Sequence, residues 1–133
     1  MESTIFQVED DEDFSFLMEC AIKEINRNIN LTISPNGNMG LRLLQNYREK
    51  MVIPGMILLD INLPGISGIH LLKMIREIPF FDPVPVVMFS TSDNPRDAAM
   101  AIEFGANEFR TKPMGYCNLV KSLEIMSIKY LKV

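Results

Sequence analysis

Histidine and cysteine are scarce in this chain. His70 is the only histidine, and Cys20 and Cys117 are the only cysteines, with no CxxC or Cys/His spacing. Histidine-dependent catalysis is therefore not on offer, and the cysteines read as reduced, buried or partly buried small apolar residues. Positive charge is also short: 13 basic residues stand against 17 acidic ones, a net charge of −4 with no basic cluster. Direct nucleic-acid binding is disfavoured, because neutralising phosphates takes concentrated positive charge. No charged-then-apolar leader and no apolar run long enough to span a bilayer occurs, so the chain is expected to be a soluble cytoplasmic domain without membrane contact. Neither GxGxxG nor a Walker-type loop occurs, which argues against dinucleotide binding and nucleotide hydrolysis. Repeats, low-complexity stretches and linkers are missing too.

What remains is 133 residues, 47% hydrophobic and 23% charged, the composition of one globular domain over residues 1–133. Short apolar runs at residues 5–8, 31–34, 56–59, 84–89 and around 108–110 alternate with helical patterns. The third and fourth runs are almost unbroken, as strands buried on both faces should be. Phe14, Leu17, Met18, Ala21, Ile22, Ile25 and Ile29 keep i, i+3, i+4 spacing and predict a first helix. Leu41, Leu44 and Tyr47 mark a second, and Ile69, Leu72 and Ile75 a third. Asn94-Pro95, a cap followed by a first-turn proline, opens a fourth helix that Gly105 stops. A fifth is expected from about Cys117 to Leu131, consuming the C-terminus and leaving no room for an output domain. Five strand–helix pairs predict an α/β fold with a parallel sheet between two helical layers.

Ligands of such sheets bind at the carboxyl ends of the strands. After the first strand come Glu9, Asp10 and Asp11; after the third, Asp60; after the fourth, Ser90; after the fifth, Lys112. Carboxylates crowded on one rim would take up protons unless a cation intervened, and Mg²⁺ favours a few carboxylates plus waters and phosphate oxygens. With Mg²⁺ bound, Asp60 stays ionised and can act as a nucleophile towards phosphorus. Of the phosphoryl oxygens, one would face Mg²⁺, a second Lys112 and a third the Ser90 hydroxyl. Lys112 is expected to lack this partner in the resting state.

Four motifs, Val8-Glu9-Asp10-Asp11, Leu58-Leu59-Asp60-Ile61-Asn62-Leu63-Pro64-Gly65, Phe89-Ser90-Thr91 and Thr111-Lys112-Pro113, each follow an expected strand. Together they resemble the receiver domains of two-component response regulators, of the single-domain, chemotaxis-regulator-like kind. The resemblance implies a flavodoxin-like three-layer α/β/α sandwich with a five-stranded parallel sheet of order 2-1-3-4-5. It implies that a sensor histidine kinase phosphorylates Asp60, and that Asp10, Asp60 and the Asn62 backbone carbonyl ligate Mg²⁺, with Glu9 reaching it through water. Ser90 and Phe109 would form the switch pair, and the Lys112–Pro113 peptide would be cis. The loop over residues 78–83 resembles that of small receivers paired with phytochrome-type kinases. Ser67-Gly68 stands where the family often has Asp-Gly, and Phe109 where it often has Tyr.

Simpler roles suffice for some residues: Asp11, Glu12 and Asp13 read as cap and first-turn acids of the first helix. Two other functions fit the same fold. An aspartate-nucleophile phosphatase would need a second titrating acid where Asn62 stands. A receiver-like interaction module that no longer accepts phosphate would have lost Asp60, Asp10 or Lys112. The chain is therefore expected to be a switch with self-phosphorylation and self-dephosphorylation chemistry only, not an enzyme. Ile125 and Ile128 fall off the apolar face of the fifth helix formed by Leu119, Val120, Leu123, Met126 and Tyr130, and Phe16 falls off the first helix's stripe. The two isoleucines are expected to serve a homodimer or a downstream effector protein of unknown identity, and Phe16 kinase docking.

Overall fold

The segment Met56-Ile57-Leu58-Leu59 is apolar at every position because the strand it forms is covered on both sides. Ile57 and Leu59 point into one buried cluster, and Met56 and Leu58 into another. The structure, a computed structural model, describes residues 3–132. Its elements are β1 (Ser3–Val8), α1 (Glu12–Ile25), β2 (Ile29–Ser34), α2 (Gly37–Glu49), β3 (Met56–Leu59), α3 (Gly68–Arg76), β4 (Val86–Ser90), α4 (Pro95–Glu103), β5 (Glu108–Thr111) and α5 (Tyr116–Met126). All strand pairs are parallel, and the sheet order is β2-β1-β3-β4-β5, the order expected.

One core cluster joins the sheet to α2, α3 and α4 through Leu44, Leu71, Leu72, Ile75 and Ala101. The other joins it to α1 and α5 through Met18, Ala21, Ile22, Leu119, Leu123 and Met126. Three layers result. Asn94 caps α4 by accepting from the Arg96 amide, with Pro95 behind it, as the Asn-Pro pair predicts. Among the described residues, no helix is long and apolar enough to cross a membrane.

Several expectations are corrected. Ile29 belongs to β2 and not to the first helix, because Asn26 leaves the helical region and its side chain accepts from the Asn28 amide. Ile29 then pairs beside Ser3 in the sheet. Leu17, counted in the same stripe, is 39% exposed. Cys117 is exposed, because it sits in the first turn of α5 on the solvent side, while Cys20 is half-buried. The loop over residues 78–83 holds a short 3₁₀ turn, Pro79–Phe81, that buries Phe81 in the core. The fifth helical segment does run to Leu131 as expected, its last part, Ser127–Leu131, being a π turn that follows α5.

The end of the sheet away from the carboxylates is tied by Arg76 on α3. Its guanidinium donates to the carbonyls of Gly105, Phe81 and Val84 and to the Asn107 side chain, joining the α3–β4 and α4–β5 connections.

Candidate functional site

The rim at the carboxyl ends of β1, β3, β4 and β5 gathers most of the residues the sequence singles out. Glu9, Asp10 and Asp60 each offer a carboxylate oxygen, all within 4.8 Å of one another. Glu9 and Asp60 are buried, while Asp10 opens to solvent. Asp60 follows β3 immediately, and Ser90, the last residue of β4, donates its hydroxyl to Asp60 Oδ1 at 2.9 Å. The Asn62 amide donates to the same oxygen at 3.2 Å. Lys112 lies one residue past β5, its amide held by the Ser90 carbonyl at 2.8 Å. From there its ammonium reaches Asp60 Oδ2 at 3.0 Å and Glu9 Oε1 at 2.6 Å.

Lys112 is already paired, because two buried carboxylates attract its ammonium. One expectation is overturned: the Lys112–Pro113 peptide is trans, as is every peptide bond among the described residues.

Three carboxylates against one ammonium leave this pocket a formal charge of −2. Burial pushes the Glu9 carboxyl above its usual range; Lys112 and the Asp11 amide pull it down, and Asp60 adds to the rise. For Lys112, burial alone would disfavour the ammonium, but Glu9 and Asp60 outweigh it and hold the group above its ordinary value. The cation is well paid for by its neighbours, whereas the anions carry an excess. A hard divalent cation with oxygen preference fits that donor set, charge and spacing.

Local structure explains the placement. Asp11 caps α1, accepting from the amides of Asp13 and Phe14, so it is turned away from the pocket. Glu12 and Asp13 fill the first turn of that helix, as their simpler reading predicts. Beyond Asp60, the chain turns through Gly65 at φ +76°, a conformation costly for residues with a Cβ. It then enters α3 at Gly68, capped by the Ser67 hydroxyl on the His70 amide. A Cβ on Gly68 would lie 1.8 Å from the Asp60 carbonyl oxygen, so the glycine lets α3 pack directly under the Asp60 backbone. Sequence reading passed over this role, although a glycine opening a helix is an anomaly that could have signalled it.

Two further features lay outside the sequence reading. The Lys112 ammonium sits 4.3 Å from the centroid of the Phe14 ring. The Ser92 amide donates to Ser90 Oγ, while the Ser92 hydroxyl donates to Asp97 in the first turn of α4. Phe14 and Lys112 are far apart in the chain and meet only in the folded molecule, and the Ser92 bonds depend on the turn the chain takes between β4 and α4. Phe109, half-buried on β5, packs on the cluster beneath α3 and α4, beside Met88 and on the same face of the sheet as Ser90. Phe16, Ile125 and Ile128 are 64%, 53% and 66% exposed, and Phe16 lines a surface cleft together with Glu9 and Asp10.

Known proteins with this architecture agree. The model for the response regulator receiver domain matches residues 5–124. Response regulator Rcp1 of Synechocystis sp. is 31% identical over 122 residues, covering 90% of this chain and 83% of its own length. The transcriptional regulatory protein YcbL of Bacillus subtilis is 32% identical over 84% of this chain, but the chain spans only 45% of that protein. For the sensory transduction protein BceR of Halalkalibacterium halodurans, the span is 29%. Among solved structures, the Mn²⁺-bound form of Rcp1 superposes with a TM-score of 0.85 at 28% identity, covering 98% of this chain and 96% of that one. The phosphorylated cyanobacterial phytochrome response regulator RcpA gives 0.89 at 26% identity, with coverage of 98% and 95%. With its sheet order, its carboxylate rim and these relatives in agreement, the chain belongs to the response regulator receiver domain family.

Proposed function

We propose that residues 1–133 form one receiver domain that accepts a phosphoryl group on Asp60 from a sensor histidine kinase, with Mg²⁺ as cofactor, and thereby changes a protein-interaction surface. The observation that carries this reading is the Asp60 carboxylate, buried on the rim with a hydroxyl donor on one oxygen and an ammonium on the other. A carboxylate has about four lone-pair sites. Ser90, Asn62 and Lys112 occupy three, and the turn of Ser90 and Lys112 towards a phosphoryl group frees the sites that phosphorus and Mg²⁺ would take.

In the transfer, an Asp60 oxygen forms the new O–P bond as the P–N bond to the kinase histidine breaks, its electron pair staying on the ring nitrogen. Lys112 and Ser90 then turn their donors from Asp60 to the phosphoryl oxygens, where negative charge has appeared. Asp10, Asp60 and the Asn62 carbonyl would hold Mg²⁺, with Glu9 acting through water. When bound, the ion supplies charge neutralisation for the phosphoryl group and the acidic pocket. Because Ser90 also accepts from Ser92, its turn carries the β4–α4 loop with it, and Phe109 moves inward on the same face.

The setting this reading implies is cytoplasmic, and the kinase partner is of the phytochrome type. Likeness to RcpA, a phytochrome response regulator, supports the kinase choice. Phe16 on α1 is assigned to kinase docking, and Ile125 and Ile128 to a second copy or a downstream effector.

The deciding experiment is labelling with a small phosphodonor and Mg²⁺. One base-labile phosphoryl group per chain is expected, and Asp60→Asn, nearly isosteric, should abolish it with the fold intact. Equal labelling of the Asn variant would mean that the nucleophile is another residue.

A further inference from the structure

Among the described residues, the Lys112 ammonium has three charged or aromatic neighbours: Glu9 at 2.6 Å, Asp60 at 3.0 Å and the face of Phe14, 4.3 Å from its centroid. The side chain is only 8% exposed, so the ring occupies ground that water would otherwise hold. Phe14 is itself fixed. Its amide is capped by Asp11, and its ring leans on Phe89, the residue before Ser90, with centroids 5.9 Å apart.

These three neighbours behave differently when a divalent cation enters. Glu9 and Asp60 are then drawn to the cation, and their attraction for Lys112 weakens. An aromatic face attracts an ammonium through its quadrupole but offers no oxygen to a hard metal ion. Phe14 is thus the one neighbour whose hold on Lys112 survives metal loading. The geometry points to Phe14 as a positioning residue for phosphoryl transfer, its ring keeping the Lys112 ammonium beside Asp60 once the carboxylates are shared with a cation. This inference rests on the phospho-acceptor reading of Asp60.

The test compares Phe14→Leu, Phe14→Tyr and a variant carrying pentafluorophenylalanine at position 14, which keeps the ring's shape but reverses its electrostatics. Rates of labelling by a small phosphodonor are measured at saturating Mg²⁺. Phe14→Leu and the fluorinated variant should be slower by roughly three- to thirty-fold, the range of a desolvated ammonium–ring contact. Phe14→Tyr should stay within about two-fold of the parent, because it retains the face. Mg²⁺ affinity, titrated without phosphodonor, should be unchanged in all three. In a Lys112→Ala background, Phe14→Leu should have no further effect on rate. A fluorinated variant as fast as the parent would overturn the inference, as would a loss of Mg²⁺ affinity parallel to the loss of rate. Should Phe14→Leu fail to fold, the fluorinated and Tyr variants decide alone.

A second readout needs no phosphotransfer. In a double-mutant cycle of Phe14→Leu with Lys112→Met, the unfolding constants should couple by about two- to thirty-fold. Additive effects would overturn the inference. Absence of labelling in the parent protein would instead strike the Asp60 reading, leaving the cycle to decide whether Phe14 holds Lys112.

Discussion

Replacing Lys112 by Met removes the only ammonium that the described residues bring to the pocket, while keeping an unbranched side chain of similar length. Glu9, 2% exposed, and Asp60, 6% exposed, are then left facing each other and Asp10. Removing one partner of a buried ion pair costs about 3–5 kcal/mol. The Asp10 side of the pocket is open to solvent, which places the expected loss at the lower end, about 3 kcal/mol. For a domain of this size that is a fall in Tm of roughly 10 °C. The loss should depend on pH. Glu9 already sits above its usual range through burial and the Asp60 charge, and losing Lys112 raises it further. A carboxyl whose folded-state pKa exceeds the unfolded value contributes stability below the unfolded value and loses it as pH rises through the folded one. The deficit of Lys112→Met should therefore be largest at neutral pH and shrink towards about pH 5. Mg²⁺ should restore more stability to the variant than to the parent, because the pocket's formal charge falls from −2 to −3. Urea or thermal unfolding with and without Mg²⁺, at the two pH values, measures all three effects. A variant within about 0.5 kcal/mol of the parent at neutral pH would refute the reasoning, since surface lysines behave that way. So would a smaller Mg²⁺ response.

Asp10→Asn should weaken Mg²⁺ binding by at least roughly ten-fold, worth ~1.4 kcal/mol, whereas Asp11→Asn, still a good cap, should leave it within about two-fold. Isothermal titration of the two variants checks this, and equal losses would contradict it. Gly68→Ala should destabilise by about 2–3 kcal/mol and disturb Mg²⁺ binding, because its Cβ meets the Asp60 backbone at 1.8 Å. Helix propensity alone predicts a gain of up to ~1 kcal/mol, so a more stable variant would refute the packing account. Changing both Ile125 and Ile128 to Lys should reduce association with a second copy or an effector by more than about ten-fold, and leave small-donor labelling intact. Sedimentation and labelling assays separate the two effects. In parallel, Phe16→Ala should slow only kinase-dependent transfer, and an unchanged transfer rate would remove Phe16 from the docking surface.

Much of the architecture was legible because parallel strands buried on both faces leave an unmistakable trace: four consecutive apolar residues at Met56 to Leu59, and a matching run into Phe89. Helix stripes and Asn94-Pro95 were equally plain, since period and capping are local chemistry. Local chemistry also misled, where Ile29 kept helical spacing although Asn26 had already ended the helix. The rim followed from topology: residues placed just after parallel strands must emerge on one side, so Glu9, Asp10, Asp60, Ser90 and Lys112 were foreseeable as neighbours. Their present pairings were not. That Lys112 already grips Glu9 and Asp60, that Phe14 lies against its ammonium, and that Gly68 gives α3 room under Asp60 depend on ångström distances between segments far apart in the chain. Sequence order carries the periodicity that builds each element and the order in which the elements meet. Which donor faces which acceptor is settled only when side chains compete for the same buried space and charge.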